Sequence, residues 1–475
     1  MKKVLFVGAE AVPFAATGGL GDVMASLPAA LCAVGEDARV ILPLYRAVSE
    51  EWRAQMREEA VFEVTLSWRR QYCGIRSLQK DGVTYYFVDN EYYFGREGLY
   101  GHFDDAERYA FFCMAVLEAL PRIGFIPDVL HAQDWQAALS VIYLRTLFAK
   151  NATYAGIRSV FTIHNIEYQG RFSRDILGDV MGLGSEEWER MDFGGGINLM
   201  KAAILSADRV TTVSPRYAEE ICTPAFGEGL DAILRESAYK LEGILNGIDT
   251  KRYDPSKDGA LFRTYTARSQ SRKAENKTAL QRELGLRVDA QVPMLAVISR
   301  LAAHKGMDLV MQAAQALLNE DVQLVVVGCG DARFEGFFRS LSQENPHRVA
   351  ACICYDRALA SRVYAACDLF LMPSASEPCG LSQMIASRYG AIPVVHAVGG
   401  LYDTIKPFFE KEGGIGGGGF AFEEYSAAAL IGAVRQALEL WRNKPLREKA
   451  ISGIMRTDFS WRRSAAIYHR LYALV

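Results

Sequence analysis

Arg300 and Lys305 lie five residues apart in Ser299-Arg300-Leu301 and His304-Lys305-Gly306, just after the apolar run Met294–Ile298. A guanidinium fork and an ammonium point charge at that spacing can grip one diphosphate, while a solvated basic loop is the plainer reading. After the run Asp368–Met372, the segment Pro373 to Ser382 sets Glu377 in Glu377-Pro378-Cys379-Gly380-Leu381. A carboxylate there can accept hydrogen bonds from sugar hydroxyls, and Gly380 and Leu381 open a helix whose first N–H groups suit phosphate. Val398-Gly399-Gly400-Leu401 repeats the logic as a glycine turn at a helix start. Earlier, Thr17-Gly18-Gly19-Leu20-Gly21-Asp22 joins the first apolar run to a helix carrying Val23, Leu27 and Leu31. Glycines let the backbone approach a ligand closely, and the segment reads equally as a tight strand-to-helix turn. It lacks the G-x-G-x-x-G spacing of dinucleotide sites, which argues against a nicotinamide dehydrogenase. His131-Ala132-Gln133-Asp134-Trp135 and His164-Asn165-Ile166-Glu167 each place an imidazole near an acid at the end of an apolar run. A lone histidine is more often structural; two at matching places in one sheet favour a sugar site.

The elements that must hold these groups follow from periodicity. Short runs rich in Val and Ile recur between helix-length segments: Val4–Val7, Arg39–Leu42, Val83–Val88, Val129–His131, Ser159–His164 and Arg209–Val213, then Met294–Ile298, Gln323–Val327, Asp368–Met372 and Pro393–His396. Continuous apolar strands alternating with helices predict parallel sheets covered on both faces. Two such series predict an α/β chain with two doubly wound, Rossmann-like domains facing a deep cleft, with ligand at the carboxyl ends of the strands. The boundary falls near Gly243–Asp249, where a polar stretch from Asp254 to Lys277 follows. The expected divisions are 1–243, 244–458, and a helix over 459–475 crossing back to the first domain. Gly413 to Gly419 is glycine-dense and reads as a flexible loop.

The 475 residues suit two cores, with half of them hydrophobic and under a quarter charged. A net charge of −3 gives no footprint for nucleic acid or an acidic membrane surface. Nine dispersed cysteines read as reduced thiols. Cys352 and Cys354 have no second pair at metal spacing and are expected to be buried strand thiols. Met1 to Gly8 briefly imitates a signal peptide, but Glu10 and Pro13 interrupt it, and no run approaches the roughly twenty apolar residues of a membrane helix. A soluble cytoplasmic protein is expected.

Taken together, these six motifs, with the closing Asp458-Phe459-Ser460-Trp461, resemble the bacterial glycogen synthases and plant starch synthases over almost the whole chain. The resemblance implies a GT-B fold and transfer of glucose from ADP-glucose to the non-reducing end of an α-1,4-glucan such as glycogen. It also implies retention of configuration and no metal or cofactor. It assigns Arg300 and Lys305 to the donor diphosphate and Glu377 to the donor glucose, with His164 and Asp134 around the reacting sugar. Thr17, Gly18, Gly19, Leu381, Ser382, Gly399 and Gly400 fall beside the donor, and Asp22, Tyr100, Asn165, Asn246 and Cys379 in the same cleft. The family has Thr where this chain has Ser382, which keeps a hydroxyl. It also begins its first glycine motif with Lys, where this chain has Ala16. The ammonium expected beside the donor is missing, which implies a weakened or altered enzyme.

Double displacement would need a second carboxylate paired with Glu377. Ile385 fills the place, eight residues on, where related glycosyltransferases carry a second Glu. The sequence therefore favours front-face attack, with Arg300 and Lys305 stabilising the leaving diphosphate. Another retaining GT-B enzyme, such as a sucrose-type synthase, and a non-catalytic or altered-donor glucan-binding paralogue are the alternatives.

Overall fold

The computed structural model describes residues 1–411 and 414–475. It forms two compact units, Met1–Asn246 with Trp461–Val475, and Gly247–Ser460.

The first unit is built on a nine-stranded sheet. Its order is Leu241–Gly243, Arg209–Thr212, Arg158–Ile163, Val129–Gln133, Lys3–Val7, Asp37–Pro43, Val83–Asp89, Arg69–Lys80, Arg57–Leu66. The strands from Leu241–Gly243 to Val83–Asp89 pair in parallel, and the final two form an antiparallel hairpin at the edge. Val4, Leu5, Phe6 and Val7 are wholly buried, as a strand covered on both faces requires. The helix Gly19–Ala33 buries Val23, Met24, Leu27 and Leu31, the i, i+4 stripe that seats a helix on a sheet. Chain order reverses between Lys3–Val7 and Val129–Gln133, and doubly wound sheets bind ligands at that switch point.

The helix Arg462–Ala473 belongs to this unit. Trp461, Ala465, Tyr468, Leu471 and Tyr472 join Val4, Phe6, Leu27 and Val129 in one core cluster. His131 was expected to face the ligand. Instead it is fully buried, with Nδ1 2.8 Å from the Tyr472 hydroxyl and Nε2 2.6 Å from Thr162 Oγ1. Burial holds its pKa well below the usual range, so it is a neutral fastener between sheet and helix.

The second unit has a six-stranded, wholly parallel sheet in the order Val349–Cys352, Gln323–Val327, Met294–Ile298, Leu369–Met372, Ile392–His396, Phe420–Phe422. In chain order that is 3-2-1-4-5-6, the Rossmann arrangement, with the switch between Met294–Ile298 and Leu369–Met372. Cys352 ends its strand and Cys354 stands beyond it. Both are half-buried, not enclosed as expected, because the strand stops at the sheet's carboxyl edge. Of the glycine-dense stretch, Gly413 lies outside the described residues, and Gly414–Gly416 pairs antiparallel with Phe409–Lys411. Among the described residues no helix is long and apolar enough to cross a membrane.

Candidate functional site

Both switch points carry the residues singled out by sequence. In the second unit, Arg300 and Lys305 follow the strand Met294–Ile298, and Glu377 follows Leu369–Met372. The Lys305 ammonium lies 2.7 Å from Glu377 Oε2, and the Ser374 hydroxyl donates to the same oxygen at 3.1 Å. Glu377 is only 6% exposed, so the lysine neutralises a carboxylate that would be costly to bury alone. Arg300 is exposed, its guanidinium accessible to an anion.

Glycine shapes this site by close backbone approach. Gly306 has φ +75°, and a Cβ there would stand 2.0 Å from the Pro373 carbonyl oxygen. Gly399 has φ +43°, and its Cβ would stand 2.1 Å from the Glu377 carbonyl oxygen. The Gly400 N–H donates to the carbonyls of Glu377 at 3.1 Å and Pro378 at 3.2 Å. The turn at Gly399 and Gly400 thus clamps the backbone that carries Glu377. Cys379 is buried beside it. The helix after Gly380 is short, Ser382–Arg388; Leu381 precedes it half-exposed, and the Ser382 hydroxyl bonds to the buried Tyr364.

In the first unit the turn from Ala16 to Gly19 is organised by a residue that sequence reasoning passed over. Glu10, 4% exposed, accepts from the Thr17 N–H at 2.8 Å, the Thr17 hydroxyl at 2.7 Å, the Gly18 N–H at 3.2 Å and the Tyr100 hydroxyl at 2.7 Å. Ala16 is exposed at the start of the turn, and Gly19 and Asp22 lie in the first turn of the following helix. An acid three residues past a strand end was the available signal, and it served only as a breaker of the apolar run.

Across the switch point, Asp134 has φ +56°, a left-handed backbone that Asp and Asn tolerate better than most residues. Its carboxylate accepts from the His164 N–H at 2.7 Å and from the Asn165 N–H, tying two strand ends together. His164 Nε2 lies 2.7 Å from the Gln133 side-chain oxygen, so that nitrogen carries the proton and Nδ1 is left as an acceptor. Asn165 closes a local turn by accepting from the Glu167 N–H at 3.0 Å. Asn246 is 6% exposed, and its side-chain oxygen has no hydrogen-bond partner among the described residues.

Asp134 and His164 titrate in opposite senses. Burial pushes Asp134 up to about 7, helped by the charge of Glu10 and opposed by the two N–H donors. Burial lowers His164 to about 3. The folded chain therefore holds a proton on Asp134 that the unfolded chain releases between roughly pH 4 and 7, and stability from this group falls as pH rises through that window. His164 gives up a proton on folding, so its contribution rises with pH from about 3 to 6.5. The slopes oppose each other across the shared window. Asp134→Asn should leave the histidine slope alone, so the melting temperature of the variant should climb more steeply between about pH 4 and 6.5 than that of the parent. Thermal melts across that range check this, and equal slopes would refute it.

The chain resembles known proteins over its full length. Residues 3–236 match the family described as the starch synthase catalytic domain, and residues 285–454 match glycosyl transferases group 1. The glycogen synthase of Geobacillus thermodenitrificans is 47% identical over 474 residues, 99% of this chain and 97% of that one. A glycogen synthase of Streptococcus pneumoniae is 46% identical over 477 residues, 99% of each chain. Among solved structures, the catalytic domain of starch synthase IV from Arabidopsis thaliana, bound to ADP and acarbose, superposes with a TM-score of 0.92 at 33% identity, covering 100% of this chain and 99% of that one. Sucrose-phosphate synthase from Thermosynechococcus elongatus superposes at 0.61 with 18% identity, covering 100% of each chain, and speaks for the GT-B fold alone.

Proposed function

Since this chain belongs to the glycogen and starch synthase family of GT-B glycosyltransferases, we propose that it transfers glucose from ADP-glucose to the non-reducing end of an α-1,4-glucan with retention of configuration. The observation that carries the reading is the Lys305–Glu377 pair at 2.7 Å, set at a Rossmann switch point with its backbone held by Gly399 and Gly400. The relative solved with ADP and acarbose supports a nucleoside diphosphate leaving group and a carbohydrate acceptor.

In this reading Arg300 and Lys305 bind the donor diphosphate and stabilise the charge that grows as it leaves. Glu377 accepts from hydroxyls of the donor glucose, its own charge balanced by Lys305. A carboxylate so paired is a poor nucleophile, which supports front-face attack, the departing diphosphate taking the acceptor proton. His164 offers Nδ1 to a sugar hydroxyl, and Asp134 fixes the peptide that carries it. Thr17, Gly18, Gly19, Leu381, Ser382, Gly399 and Gly400 line the donor, and Asp22, Tyr100, Asn165, Asn246 and Cys379 contact the sugars. Cytoplasmic residence belongs to the same proposal, supported by nine unbridged cysteines.

A donor panel tests it: ADP-glucose and UDP-glucose with glycogen as acceptor, read by nucleotide release. ADP release that depends on added glycogen is expected; no glycogen-dependent release from either donor would refute it.

Ala16 favours a second reading, in which donor affinity or choice is altered. The turn around it is intact, because Glu10 holds Thr17 and Gly18, and position 16 is exposed. Ala16→Lys should therefore lower the ADP-glucose KM or raise kcat by roughly three- to tenfold, the Coulomb gain outweighing lost rotamer freedom. Ala16→Met adds similar bulk without charge. Equal kinetics for the two variants would mean that the site is rebuilt around alanine.

A further inference from the structure

We propose that His396 is a positioning residue for Glu377 and works as a charged clasp, an imidazolium donating from both ring nitrogens to main-chain carbonyls. His396 ends the strand Ile392–His396 and is 6% exposed. Its Nδ1 lies 2.7 Å from the Ser374 carbonyl oxygen, and its Nε2 lies 3.1 Å from the Glu423 carbonyl oxygen. A carbonyl oxygen only accepts, so each nitrogen needs a hydrogen to bond there, and a neutral imidazole has one. His131 differs on this point. Its two neighbours are the hydroxyls of Tyr472 and Thr162, which can donate or accept, so a neutral ring is satisfied there. At His396 a neutral ring turns a lone pair toward a carbonyl oxygen, and burial keeps solvent from relieving it.

The ring is fixed between two segments. Phe422 stacks on it with centroids 5.3 Å apart and 29° between the planes. The Tyr425 ring also lies at 5.3 Å, and its hydroxyl donates to Asp308 at 2.8 Å. The charged and titratable side chains on the elements packed against His396 are Glu377, Lys305 and His304 on the Ser374 side. On the other side they are Glu423, Glu424 and Tyr425, with Asp308 reached through Tyr425. A positive ring therefore has carboxylates on both sides, and the Lys305 ammonium is already paired with Glu377.

Ser374 carries the link to the site. Its hydroxyl donates to Glu377 Oε2 at 3.1 Å. The next N–H, that of Ala375, donates at 2.9 Å to the carbonyl of His304, the residue before Lys305. The carbonyl that His396 holds thus belongs to the loop that bonds Glu377 and rests on the segment of Lys305. When the ring loses one of its two protons, the clasp is held at one end and this loop gains freedom. Positioning is therefore tight at low pH, where both nitrogens are protonated, and slackens as pH rises. Transfer should fall about three- to tenfold across that change, the worth of one hydrogen bond. The protonation of the clasp is independent of the transferase reading; its effect on rate rests on it.

The test follows the full chain between about pH 5 and 8. Nitrogen NMR of the histidine-labelled protein is run beside kcat/KM for ADP-glucose with glycogen. The chain has seven histidines, and the His396 signals are those missing from His396→Gln. At the acid end both ring nitrogens should be protonated, and kcat/KM should drop at the pH where one proton leaves. His396→Arg keeps its charge and several N–H donors at every pH, so it should abolish the drop. His396→Gln should stay about three- to tenfold below the acid-end parent throughout. A ring that keeps both protons across the range, with a flat parent profile and a slow glutamine variant, also supports the clasp. An unprotonated nitrogen at the acid end, a drop that misses the titration, or a drop that persists in His396→Arg overturns the proposal. If no glycogen-dependent transfer occurs, the functional reading fails, and the NMR titration still decides the clasp.

Discussion

Lys305→Ala should lower kcat/KM for the donor by roughly 1,000-fold, and Arg300→Ala by roughly 30-fold or more. Losing a charge-assisted contact made mainly in the transition state costs about 2–4 kcal/mol. The lysine belongs at the top of that range because it has two tasks. Its ammonium is the counter-ion of Glu377, which is 6% exposed and otherwise bonded through its carboxylate to the Ser374 hydroxyl. Removing it takes a cation from the diphosphate and leaves a buried carboxylate without its partner. Arg300 is exposed and has only the first task. Steady-state kinetics on both variants check the ranking. Lys305→Ala combined with Glu377→Gln should lose far less than the product of the single losses, since the pair is one unit. Near-normal rates in both single variants would remove the diphosphate role.

Glu10→Ala should cost about 100-fold in kcat/KM. The substitution leaves the Thr17 and Gly18 N–H groups without their acceptor, and each hydrogen bond to a charged group is worth about 1.5–3 kcal/mol. The turn that presents Thr17, Gly18 and Gly19 should loosen, and Tyr100 loses the partner of its hydroxyl. Glu10→Gln should recover a substantial part, because the amide oxygen can face the two N–H groups while its NH2 faces the two hydroxyl oxygens. Thermal melts run beside the kinetics separate a loosened turn from an unfolded unit. An alanine variant within about threefold of the parent would show that the turn holds itself.

The parallel strands were legible because burial on both faces writes an unbroken apolar word. Met294–Ile298 and Gln323–Val327 are the runs read from sequence, and most others shifted by a residue or two. The hairpin Arg57–Leu66 and Arg69–Lys80 was not read. One of its faces meets solvent, with Val61, Glu63, Thr65 and Tyr72 exposed, so its pattern alternates and its residues look like polar loop. In the site, Lys305 and Glu377 could be named because charge beside glycine after an apolar run has few structural explanations. That they bond to each other could not be seen, since 72 positions separate them. Glu10 escaped for the converse reason: a single acid among apolar residues says nothing of the four donors that later surround it. His131 was misread because the helix that claims its ring lies more than three hundred residues downstream.

That distant helix also bears on how the protein is made. Trp461, Ala465, Tyr468, Leu471 and Tyr472 fill a cluster whose other members include Val4, Phe6 and Leu27, so the first unit cannot finish its core until they emerge from the ribosome. The second unit is contiguous, 247–460, and can close first although it is translated later. At about 5–20 residues per second, synthesis of that stretch takes on the order of 10–40 s. Through that interval the nascent first unit carries an apolar hollow where Tyr468 and Tyr472 will sit. It is a natural client for chaperones, and slow codons anywhere in the second unit should lengthen its dependence on them.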